Sequence, residues 1–459
     1  MFCNKSVHLH KTLHHGQRWL AKVYQQTQAY ATMFDKQRLL CGSSNQFLTC
    51  STTTVQILTS VHVSIASSRK SYHTTCNLSS EPLLKLESSL QNEQTLTISA
   101  CGQNMVIPAV WLRDHCRSPK YYNHDTQQKN ADLNLLDRNL TIDSVDMTGN
   151  KSGVMVSWSD GHRSEYSVDW LLSNYYTEKP KPSTIRMLWD KAIIESHPLP
   201  VVSHYDHMTL EAGLARTVEN LCKFGFAIVD GAEATEAATQ EVVERITFVQ
   251  ETLFGKMWTF TSDAERSDTA YSTQALGPHT DLTYMSTPAG IQVFHCLKHT
   301  GKGGETLLVD GFHCMEMLHE LYPEEFDLLS ETEVPHEYKE KMSSTSPGYH
   351  MYSLGTVVRT HPSTEEFIQL RFNPYDRAPL NTVDATDIPA FYRAYDRLLR
   401  IISDPKGQFW IKLSPGQVLL IDNWRVMHGR AAFDGTRMMC GCYLPRDEWV
   451  SKARTMGVW

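Results

Sequence analysis

The pattern of apolar and polar residues divides the 459-residue chain into segments of different character. Over residues 95–172, short runs alternate apolar with polar side chains, as in residues 154–158 (VMVSW) and 166–170 (YSVDW). Turn-forming residues separate these runs, for example residues 159–161 (SDG). Because alternation with a period of two is typical of half-buried strands, the pattern predicts a small antiparallel β domain over residues 81–176.

Residues 177–200 are polar and contain several prolines, which predicts a linker to a second domain over residues 201–459. Apolar residues of this domain recur with helical spacing over 208–222 and 233–254, and one further long helix is predicted over 387–402. Many short strands with a few supporting helices predict a mainly β fold, a β-sandwich or jelly-roll barrel. The predicted strands are residues 225–230, 290–297, 306–309, 357–360, 368–372, 409–413, 418–421 and 438–444.

The formal net charge of −8 is an average over two unlike segments. Residues 1–80 hold eight Lys or Arg residues and one acid, a net charge of +7, so the remainder carries −15. A leader that is basic, rich in hydroxyl side chains and nearly free of acids predicts a mitochondrial transit peptide, although composition does not locate its cleavage site. The alternative is a disordered tail without a targeting role.

Composition also excludes several classes of function. An acidic body argues against binding to a nucleic-acid backbone, which requires basic residues. No run of 18 uncharged apolar residues is present, which argues against a membrane span. The eleven cysteines are odd in number and scattered, as expected for a protein of a reducing compartment.

The first candidate for chemistry is the His-x-Asp formed by His279 and Asp281. Residues i and i+2 of a strand point to the same face, so both side chains could reach one metal ion. The chain has a second His-x-Asp at His204 and Asp206, but it follows the proline-containing segment and lies on no predicted strand. For either pair the alternative is a surface histidine beside an aspartate.

His428 is the candidate third ligand, because it follows a buried strand and its neighbour Gly429 allows close backbone approach. Two histidines and one carboxylate on one face leave three open metal positions, the arrangement of non-haem Fe(II) oxygenases. Arg437 follows nine residues later, where a guanidinium could hold a dicarboxylate cosubstrate through two parallel hydrogen bonds. A solvent-facing arginine is the alternative.

Longer motifs around these residues resemble the carnitine-biosynthesis oxygenases, the γ-butyrobetaine and trimethyllysine hydroxylase family. The resemblance covers the chain from Trp111 to the C-terminus and leaves out the leader. It rests on residues 111–116 (WLRDHC), 251–263 (ETLFGKMWTFTSD), 268–271 (DTAY), 290–299 (GIQVFHCLKH), 307–312 (LLVDGF) and 421–430 (IDNWRVMHGR).

The resemblance implies a double-stranded β-helix core with a small N-terminal β domain. It implies Fe(II) bound by His279, Asp281 and His428, with the distal carboxylate of 2-oxoglutarate on Arg437. Trimethyllysine would be hydroxylated at C3, with O₂ consumed, succinate released and ascorbate keeping the iron reduced. The family is also expected in the mitochondrial matrix, and a homodimer is a family-level expectation.

The resemblance further implies an aromatic cage for a trimethylammonium group, which cannot donate hydrogen bonds and is best held by aromatic faces. Trp258, Tyr271 and Tyr443 match cage positions, whereas Phe254 stands where the family has tyrosine. The alternative for all four is core packing.

Two polar residues add to the implied substrate site. Asp268 stands where the γ-butyrobetaine enzyme has asparagine, and its carboxylate could pair with the α-ammonium group that only trimethyllysine carries. Asn373 matches a substrate-contacting asparagine, the alternative being a turn residue before Pro374.

The N-terminal domain departs from the family pattern at a structural zinc site. Cys116 and His162 match two of the four zinc-binding positions, but Ser118 and Tyr121 stand at the other two. Two ligands do not complete a tetrahedral site, so zinc is not expected.

Alternative functions remain open at this point. The same chemistry on γ-butyrobetaine is one, and a non-catalytic module that binds quaternary ammonium groups is another, although such a module has no use for His428 or Arg437. A zinc hydrolase would need a general base near the metal and no arginine for a dicarboxylate. Residues 340–356 are polar and are predicted to form a lid or a plain loop.

Overall fold

The computed structural model describes residues 94–100, 103–130, 139–149, 152–175, 185–261, 272–342 and 347–459. The expected leader over residues 1–80 and the candidate residues Asp268 and Tyr271 lie outside this set. All described residues belong to one compact unit, Thr74–Trp459. Within them, no helix combines the length and the apolar character needed to cross a membrane.

The N-terminal region contains short antiparallel strands, as predicted from its alternating pattern. Val154, Val156 and Trp158 alternate into its core, and the Tyr166 hydroxyl donates to the Leu112 carbonyl over 2.6 Å. The strands are β1 Thr95–Ala100, β2 Gln103–Pro108, β3 Tyr122–Asn123, β4 Gln128–Lys129, β5 Ile142–Met147, β6 Gly153–Trp158 and β7 Arg163–Ser167, and the helices are α1 Ala109–Asp114 and α2 Val168–Asn174.

The run over residues 166–170 is a strand only as far as Ser167. The Ser167 side chain accepts a hydrogen bond from the Trp170 amide over 3.2 Å, which caps the first turn of α2. The prediction of a strand through Trp170 was therefore wrong, because an N-capping serine begins a helix there.

The larger region consists of strands in two main sheets and supporting helices, and the predicted mainly β fold is confirmed. Its strands are β8 Val201–Ser203, β9 Phe226–Asp230, β10 Met257–Thr261, β11 Leu276–His279, β12 Ile291–His299, β13 Thr306–Asp310, β14 Glu333–Glu340, β15 Tyr349–Thr356, β16 Val358–Thr360, β17 Phe367–Leu370, β18 Phe409–Ile411, β19 Gln417–Asp422, β20 Val426–Arg430 and β21 Arg437–Leu444.

Its helices support the two sheets from outside. They are α3 Lys191–Glu195, α4 His204–Thr209, α5 Glu211–Phe224, α6 Glu236–Glu244, α7 Gly311–Leu321, α8 Pro323–Glu331, α9 Ile388–Ile402 and α10 Arg446–Thr455, with a 3-10 turn at Pro405–Gly407. The second His-x-Asp, at His204 and Asp206, lies in the first turn of α4, which Ser203 caps.

One sheet has the strand order β10-β21-β12-β19-β9-β8, and the other has the order β11-β20-β13-β18. Leu419 and Met439 of the first sheet pack with Leu308 and Val426 of the second in one buried cluster. The two sheets therefore face each other, as in a double-stranded β-helix. The opposite face of the six-stranded sheet packs against α5, α6 and α10.

One predicted helix ends early, and part of the expected linker packs against the larger region. The helix predicted over residues 233–254 ends at Glu244, and the following chain instead reaches the sheet, where the Gln250 amide donates to the Tyr443 carbonyl over 2.8 Å. In the second half of the expected linker, Trp189 is fully buried and its indole N–H donates to the Phe224 carbonyl over 2.7 Å. Both segments are positioned by tertiary contacts rather than by local spacing.

The polar segment 340–356, predicted as a lid or loop, contributes a strand. β15 pairs antiparallel with β14 over the whole of both strands. Tyr352 and Leu354 of β15 are exposed, whereas Tyr338 of β14 packs near the residues that line the central cavity. The hairpin could not be predicted from alternating polarity, because apolar side chains also lie on its exposed face.

Candidate metal centre and substrate cavity

His279, Asp281 and His428 meet at one point of the four-stranded sheet. β11 and β20 run antiparallel with His279 opposite His428, and the two imidazole centroids are 4.5 Å apart. One ligating atom from each of the three residues lies within 4.8 Å of the other two. No other group of three His, Cys, Asp or Glu side chains in the described part of the chain has this convergence.

The local structure aims the ligating atoms at one another. The Nδ1 atom of His279 donates to the Gly277 carbonyl over 2.8 Å, which leaves the lone pair on Nε2. The Nε2 atoms of His279 and His428 lie 3.4 Å and 3.7 Å from the same Oδ1 atom of Asp281. At Gly429 a Cβ atom would lie 2.6 Å from the Leu276 carbonyl oxygen, so the close approach of β11 and β20 requires glycine there, as predicted.

The electrostatics of His428 and Asp281 favour metal binding, whereas the pKa of His279 lies above its ordinary value because the neighbouring Asp281 carboxylate outweighs the lowering effect of burial. Burial lowers the pKa of His428 to about 4, so the imidazole is neutral and can act as a ligand. Burial alone would raise the pKa of Asp281, but the nearby imidazoles of His428 and His279 and the hydrogen bond from the Tyr443 hydroxyl bring it down to about 2. The carboxylate is therefore ionised, and the donor set of two imidazoles and one carboxylate fits Fe(II).

Asp281 is anchored by a residue that sequence reasoning did not identify. Its backbone amide donates to Oδ1 of Asn423 over 2.8 Å, and Nδ2 of Asn423 donates to the carbonyls of Asp281 and Ala289 over 3.0 and 3.1 Å. Asn423 is 1% exposed. It fixes the turn after β11, so the carboxylate of Asp281 projects from a rigid backbone.

A cavity opens next to the three convergent residues. Seven of the residues predicted from the sequence line it. They are the three candidate metal ligands, the aromatic residues Phe254, Trp258 and Tyr443, and Arg437. The residues lining it are Phe254, Trp258, Phe260, Leu276, His279, Asp281, Gln292, Phe294, Thr306, His428, Gly429, Arg430, Arg437 and Tyr443.

Arg437, the first residue of β21, is a buried cation on the wall of this cavity. It is 5% exposed, and no carboxylate in the described part of the chain forms an ion pair with it. Burial, with the nearby charge of Arg430, lowers its pKa to about 10, so the guanidinium remains charged at neutral pH. Two aromatic rings, of Phe260 and Phe433, lie 5.9 and 5.8 Å from the guanidinium, but no carboxylate of the described residues balances its charge. A desolvated cation in this setting favours an anionic ligand, which fits the carboxylate of 2-oxoglutarate.

Aromatic side chains form another part of the cavity wall. The Trp258 ring lies 6.2 Å from the Tyr443 ring and stacks on Phe260 at 5.5 Å between centroids. Trp258 lies over Gly441, where a Cβ atom would come within 2.0 Å of the indole. Phe254 lines the same cavity and makes an edge contact with Tyr338 at 6.0 Å. These faces can hold an organic cation.

Asn373 is not among the residues that line the cavity. Its Nδ2 donates to Asp376 over 2.7 Å, and its Oδ1 accepts from the Tyr375 and Asp376 amides over 2.9 and 3.3 Å. Both amide atoms are thus engaged in a local turn, in line with the alternative reading of this residue. A contact between Asn373 and substrate stays a prediction.

Two cavity residues were missed because no motif marks them. Gln292 of β12 is fully buried, and its Nε2 donates to the Val293 carbonyl over 3.2 Å. Among the described residues, its Oε1 finds no hydrogen-bond partner. Thr306, the first residue of β13, is 4% exposed. Sequence alone marks either residue only as a polar position in a strand whose other residues are mainly apolar.

In the N-terminal region, Cys116 lies near the other positions of the family's zinc site. Its Sγ atom is 3.4 Å from Nε2 of His162 and 3.0 Å from Oγ of Ser164, while Ser118 Oγ is 3.2 Å from the same Nε2 atom. Tyr121 packs the edge of its ring against His162 at 4.9 Å. These polar atoms bond to one another, and the lack of zinc stays a prediction.

Comparisons with known proteins give two matching families. The family described as taurine catabolism dioxygenase TauD, TfdA family matches residues 197–443, and the one described as γ-butyrobetaine hydroxylase-like, N-terminal matches residues 88–172. The chain is 42% identical to the mitochondrial trimethyllysine dioxygenase of Bos taurus, over 80% of this chain and 87% of that protein.

Two human proteins extend the comparison. The mitochondrial trimethyllysine dioxygenase of Homo sapiens is 41% identical, over 80% of this chain and 87% of that protein. The γ-butyrobetaine dioxygenase of Homo sapiens is 26% identical, over 77% of this chain and 92% of that protein. The chain is thus much more similar to the first enzyme than to the second.

Proposed function

The chain belongs to the trimethyllysine dioxygenases of the TauD, TfdA family, and from this membership we propose that it hydroxylates N6,N6,N6-trimethyllysine at C3. It is a 2-oxoglutarate-dependent dioxygenase, and the proposal concerns its substrate and the roles of its residues. The observation that carries the proposal is one cavity that combines a His-Asp-His centre, a buried arginine without a carboxylate partner among the described residues, and a group of aromatic faces.

His279, Asp281 and His428 would hold Fe(II) and leave three positions for ligands that are not part of the protein. When bound, Fe(II) together with 2-oxoglutarate and O₂ supplies the oxidation that inserts oxygen into a C–H bond while 2-oxoglutarate is converted to succinate and CO₂. The chain orients this centre through the Gly277 carbonyl on His279 and through Asn423 on Asp281.

Arg437 would bind the distal carboxylate of 2-oxoglutarate. Its guanidinium is buried on the cavity wall and lacks a carboxylate partner in the described part of the chain, so an incoming carboxylate would neutralise a desolvated charge. Two parallel N–H···O bonds would also fix the orientation of the cosubstrate relative to the three candidate metal ligands.

Phe254, Trp258 and Tyr443 would hold the trimethylammonium group of the substrate. Each aromatic face contributes about 0.5–2 kcal/mol to cation binding, and the larger values apply to desolvated sites. Phe254 supplies a ring face in place of the family's tyrosine and without that residue's hydroxyl. We assign Tyr271 to the same cage and Asp268 to the α-ammonium group of trimethyllysine, on the resemblance alone.

The cellular setting follows from the same family membership. We propose that the protein acts in the mitochondrial matrix, at the first step of carnitine biosynthesis, with ascorbate as the reductant that keeps iron in the Fe(II) state. The basic leader over residues 1–80 would be the transit peptide. We also propose a homodimer, and a division into the domains 81–176 and 201–459, which the two family matches support.

The direct test is a product analysis with purified protein, Fe(II), 2-oxoglutarate, ascorbate and trimethyllysine. We expect succinate and a hydroxylated amine in equal amounts, with the hydroxyl group on C3 by NMR. The control omits the amine, because succinate released without substrate does not report hydroxylation. Hydroxylation at another carbon would contradict the assigned regiochemistry, and no amine product would contradict the proposed function.

A further inference from the structure

The two oxygen atoms of the Asp281 carboxylate have different surroundings. Oδ1 faces both imidazoles, with Nε2 of His279 at 3.4 Å and Nε2 of His428 at 3.7 Å. Oδ2 accepts a hydrogen bond of 2.9 Å from the Tyr443 hydroxyl. One oxygen is thus turned toward the candidate metal position, and the other is occupied by a neutral donor.

Tyr443 belongs at the same time to the aromatic wall of the cavity. It lies on β21, on the far side of the cavity from β11 and β20, and is 6% exposed. Its ring faces Trp258 at 6.2 Å between centroids and packs with Leu282 and Tyr284. A single side chain therefore contacts both the proposed cation cage and the carboxylate of the proposed metal centre.

We propose that Tyr443 is a positioning residue that couples the metal centre to the cage for the quaternary ammonium group. Its hydroxyl holds Oδ2, so that Asp281 presents only Oδ1 to the metal, and its ring forms one wall of the cage. The inference rests on the proposed function, because it assumes that this cavity binds both a divalent metal and a quaternary amine.

The physical basis is the freedom of a carboxylate to rotate about its Cβ–Cγ bond. Without the Tyr443 hydroxyl, the carboxylate would be free to rotate, so Oδ1 would no longer be held toward Nε2 of His279 and Nε2 of His428. A hydrogen bond to the ligating carboxylate fixes its orientation, and losing such a partner costs about 10–100-fold in metal affinity. Asn423 fixes the backbone of Asp281 but does not contact the carboxylate.

Coupling through one side chain also requires reciprocity. If the amine packs against the Tyr443 ring and thereby holds the hydroxyl on Asp281, trimethyllysine must tighten metal binding by the same factor by which metal tightens amine binding. The Tyr443→Phe variant keeps the ring and loses the hydroxyl, so its cage remains while its link to Asp281 is lost.

The test uses Mn(II), which is a redox-silent probe for the Fe(II) site, and the complete chain. The dissociation constant for Mn(II) is measured by EPR of the free ion, with and without trimethyllysine, for the wild-type protein and for Tyr443→Phe. Tyr338→Phe is the matched control, because the Tyr338 hydroxyl donates to Glu340 over 3.0 Å and lies outside the cavity.

For Tyr443→Phe we expect Mn(II) binding about 10–100-fold weaker than in wild type. We expect trimethyllysine to tighten Mn(II) binding in wild type and in Tyr338→Phe but not in Tyr443→Phe. Calorimetry on protein saturated with Mn(II) and 2-oxoglutarate should show that Tyr443→Phe still binds trimethyllysine, whereas Tyr443→Leu, which lacks the ring, should bind it more weakly.

Equal Mn(II) affinities in Tyr443→Phe and Tyr338→Phe would overturn the inference, as would an unchanged effect of trimethyllysine in Tyr443→Phe. The Mn(II) titration without amine does not depend on the substrate, so it separates this failure from a failure of the proposed function. In the latter case, the wild-type protein itself would not bind trimethyllysine. Thermal unfolding of the metal-free variants checks that each is folded.

Discussion

Two clusters of metal-binding residue types lie in different regions of the molecule, and only one has the geometry of a metal centre. In the β-helix, His279, Asp281 and His428 direct three ligating atoms to one point next to a cavity. In the N-terminal region, Cys116 and His162 lie 3.4 Å apart, but two serine hydroxyls complete their surroundings.

The difference lies in where the polar atoms find partners. The Cys116 cluster satisfies itself, since Ser118 and Ser164 bond to the same sulfur and imidazole that a zinc ion would use. In the β-helix the outward atoms of His279 and Asp281 are held by Gly277 and Tyr443, while the inward atoms of all three ligands lie near one another without a donor between them. Residue type is thus insufficient, and three convergent ligand atoms mark the centre.

The largest expected effect comes from removing the central carboxylate. Asp281→Ala leaves two imidazoles, and we expect turnover to fall by roughly 10³-fold or more because the metal contributes several kcal/mol to catalysis. Turnover and iron content are measured together. Asp206→Ala in the second His-x-Asp is the matched control, because Asp206 forms a surface ion pair with Arg216. Near-normal iron content in Asp281→Ala would contradict the ligand assignment.

Arg437→Ala tests the anion site that the cavity of the β-helix has and the N-terminal cluster lacks among its described residues. Removing one member of a buried charge pair costs about 2–5 kcal/mol, so we expect kcat/KM for 2-oxoglutarate to fall by about 10²-fold or more, with Mn(II) affinity within about threefold of wild type. Arg437→Lys should retain part of this activity, because it keeps the charge without the planar fork. An unchanged kcat/KM would remove the role of Arg437.

Gly441→Ala tests the cation cage without changing a cage residue. A Cβ atom there would lie 2.0 Å from the Trp258 indole and 2.4 Å from the Val293 carbonyl oxygen, so the ring must move and the strand pairing must adjust. Thermal unfolding checks that the variant is folded. The loss of one aromatic face predicts a rise in KM for trimethyllysine of about 2–30-fold, with an unchanged KM for 2-oxoglutarate. Gly407→Ala is the control, since its Cβ would meet nothing within 4 Å. Equal kinetics for both variants would argue against Trp258 as a cage residue.

The smallest effect is expected in the N-terminal cluster. Cys116→Ser keeps a small polar side chain among Ser118, Ser164 and His162, so we expect turnover within about twofold and a loss of unfolding free energy of about 1 kcal/mol. Metal analysis of chelator-washed protein should give no zinc in either the wild type or the variant. Stoichiometric zinc that disappears in Cys116→Ser would show that the two clusters are both metal centres.

Much of the fold could be predicted because buried strands and helices leave recognisable patterns of apolar residues in the sequence. The strands around Val293, Leu308 and Leu420 are apolar runs bounded by turn residues, and the helix Ile388–Ile402 has apolar residues at helical spacing. The hairpin of β14 and β15 could not, because its polar residues pair mainly with each other and carry no clear alternation. Two predicted elements also end earlier than expected, a strand at Ser167 and a helix at Glu244.

At the site, the structure brings together residues that were predicted for their distinctive chemistry, and it adds supporting residues that were not predicted. His279, Asp281, His428 and Arg437 could be proposed because their types and order are typical of one reaction class, and they line one cavity. The Tyr443–Asp281 bond and the Asn423 anchor depend on how β21 and the turn after β19 pack against β11, which no local pattern encodes.

The measurement that tests the central claim most directly is the ratio of kcat/KM values for trimethyllysine and γ-butyrobetaine, obtained from succinate release with Fe(II), 2-oxoglutarate and ascorbate. The two amines share the trimethylammonium group, but only trimethyllysine carries an α-ammonium group. We predict that trimethyllysine is preferred by about 10²-fold or more, as expected when a charged group of the substrate is matched in the site. A ratio of one or below would contradict the account.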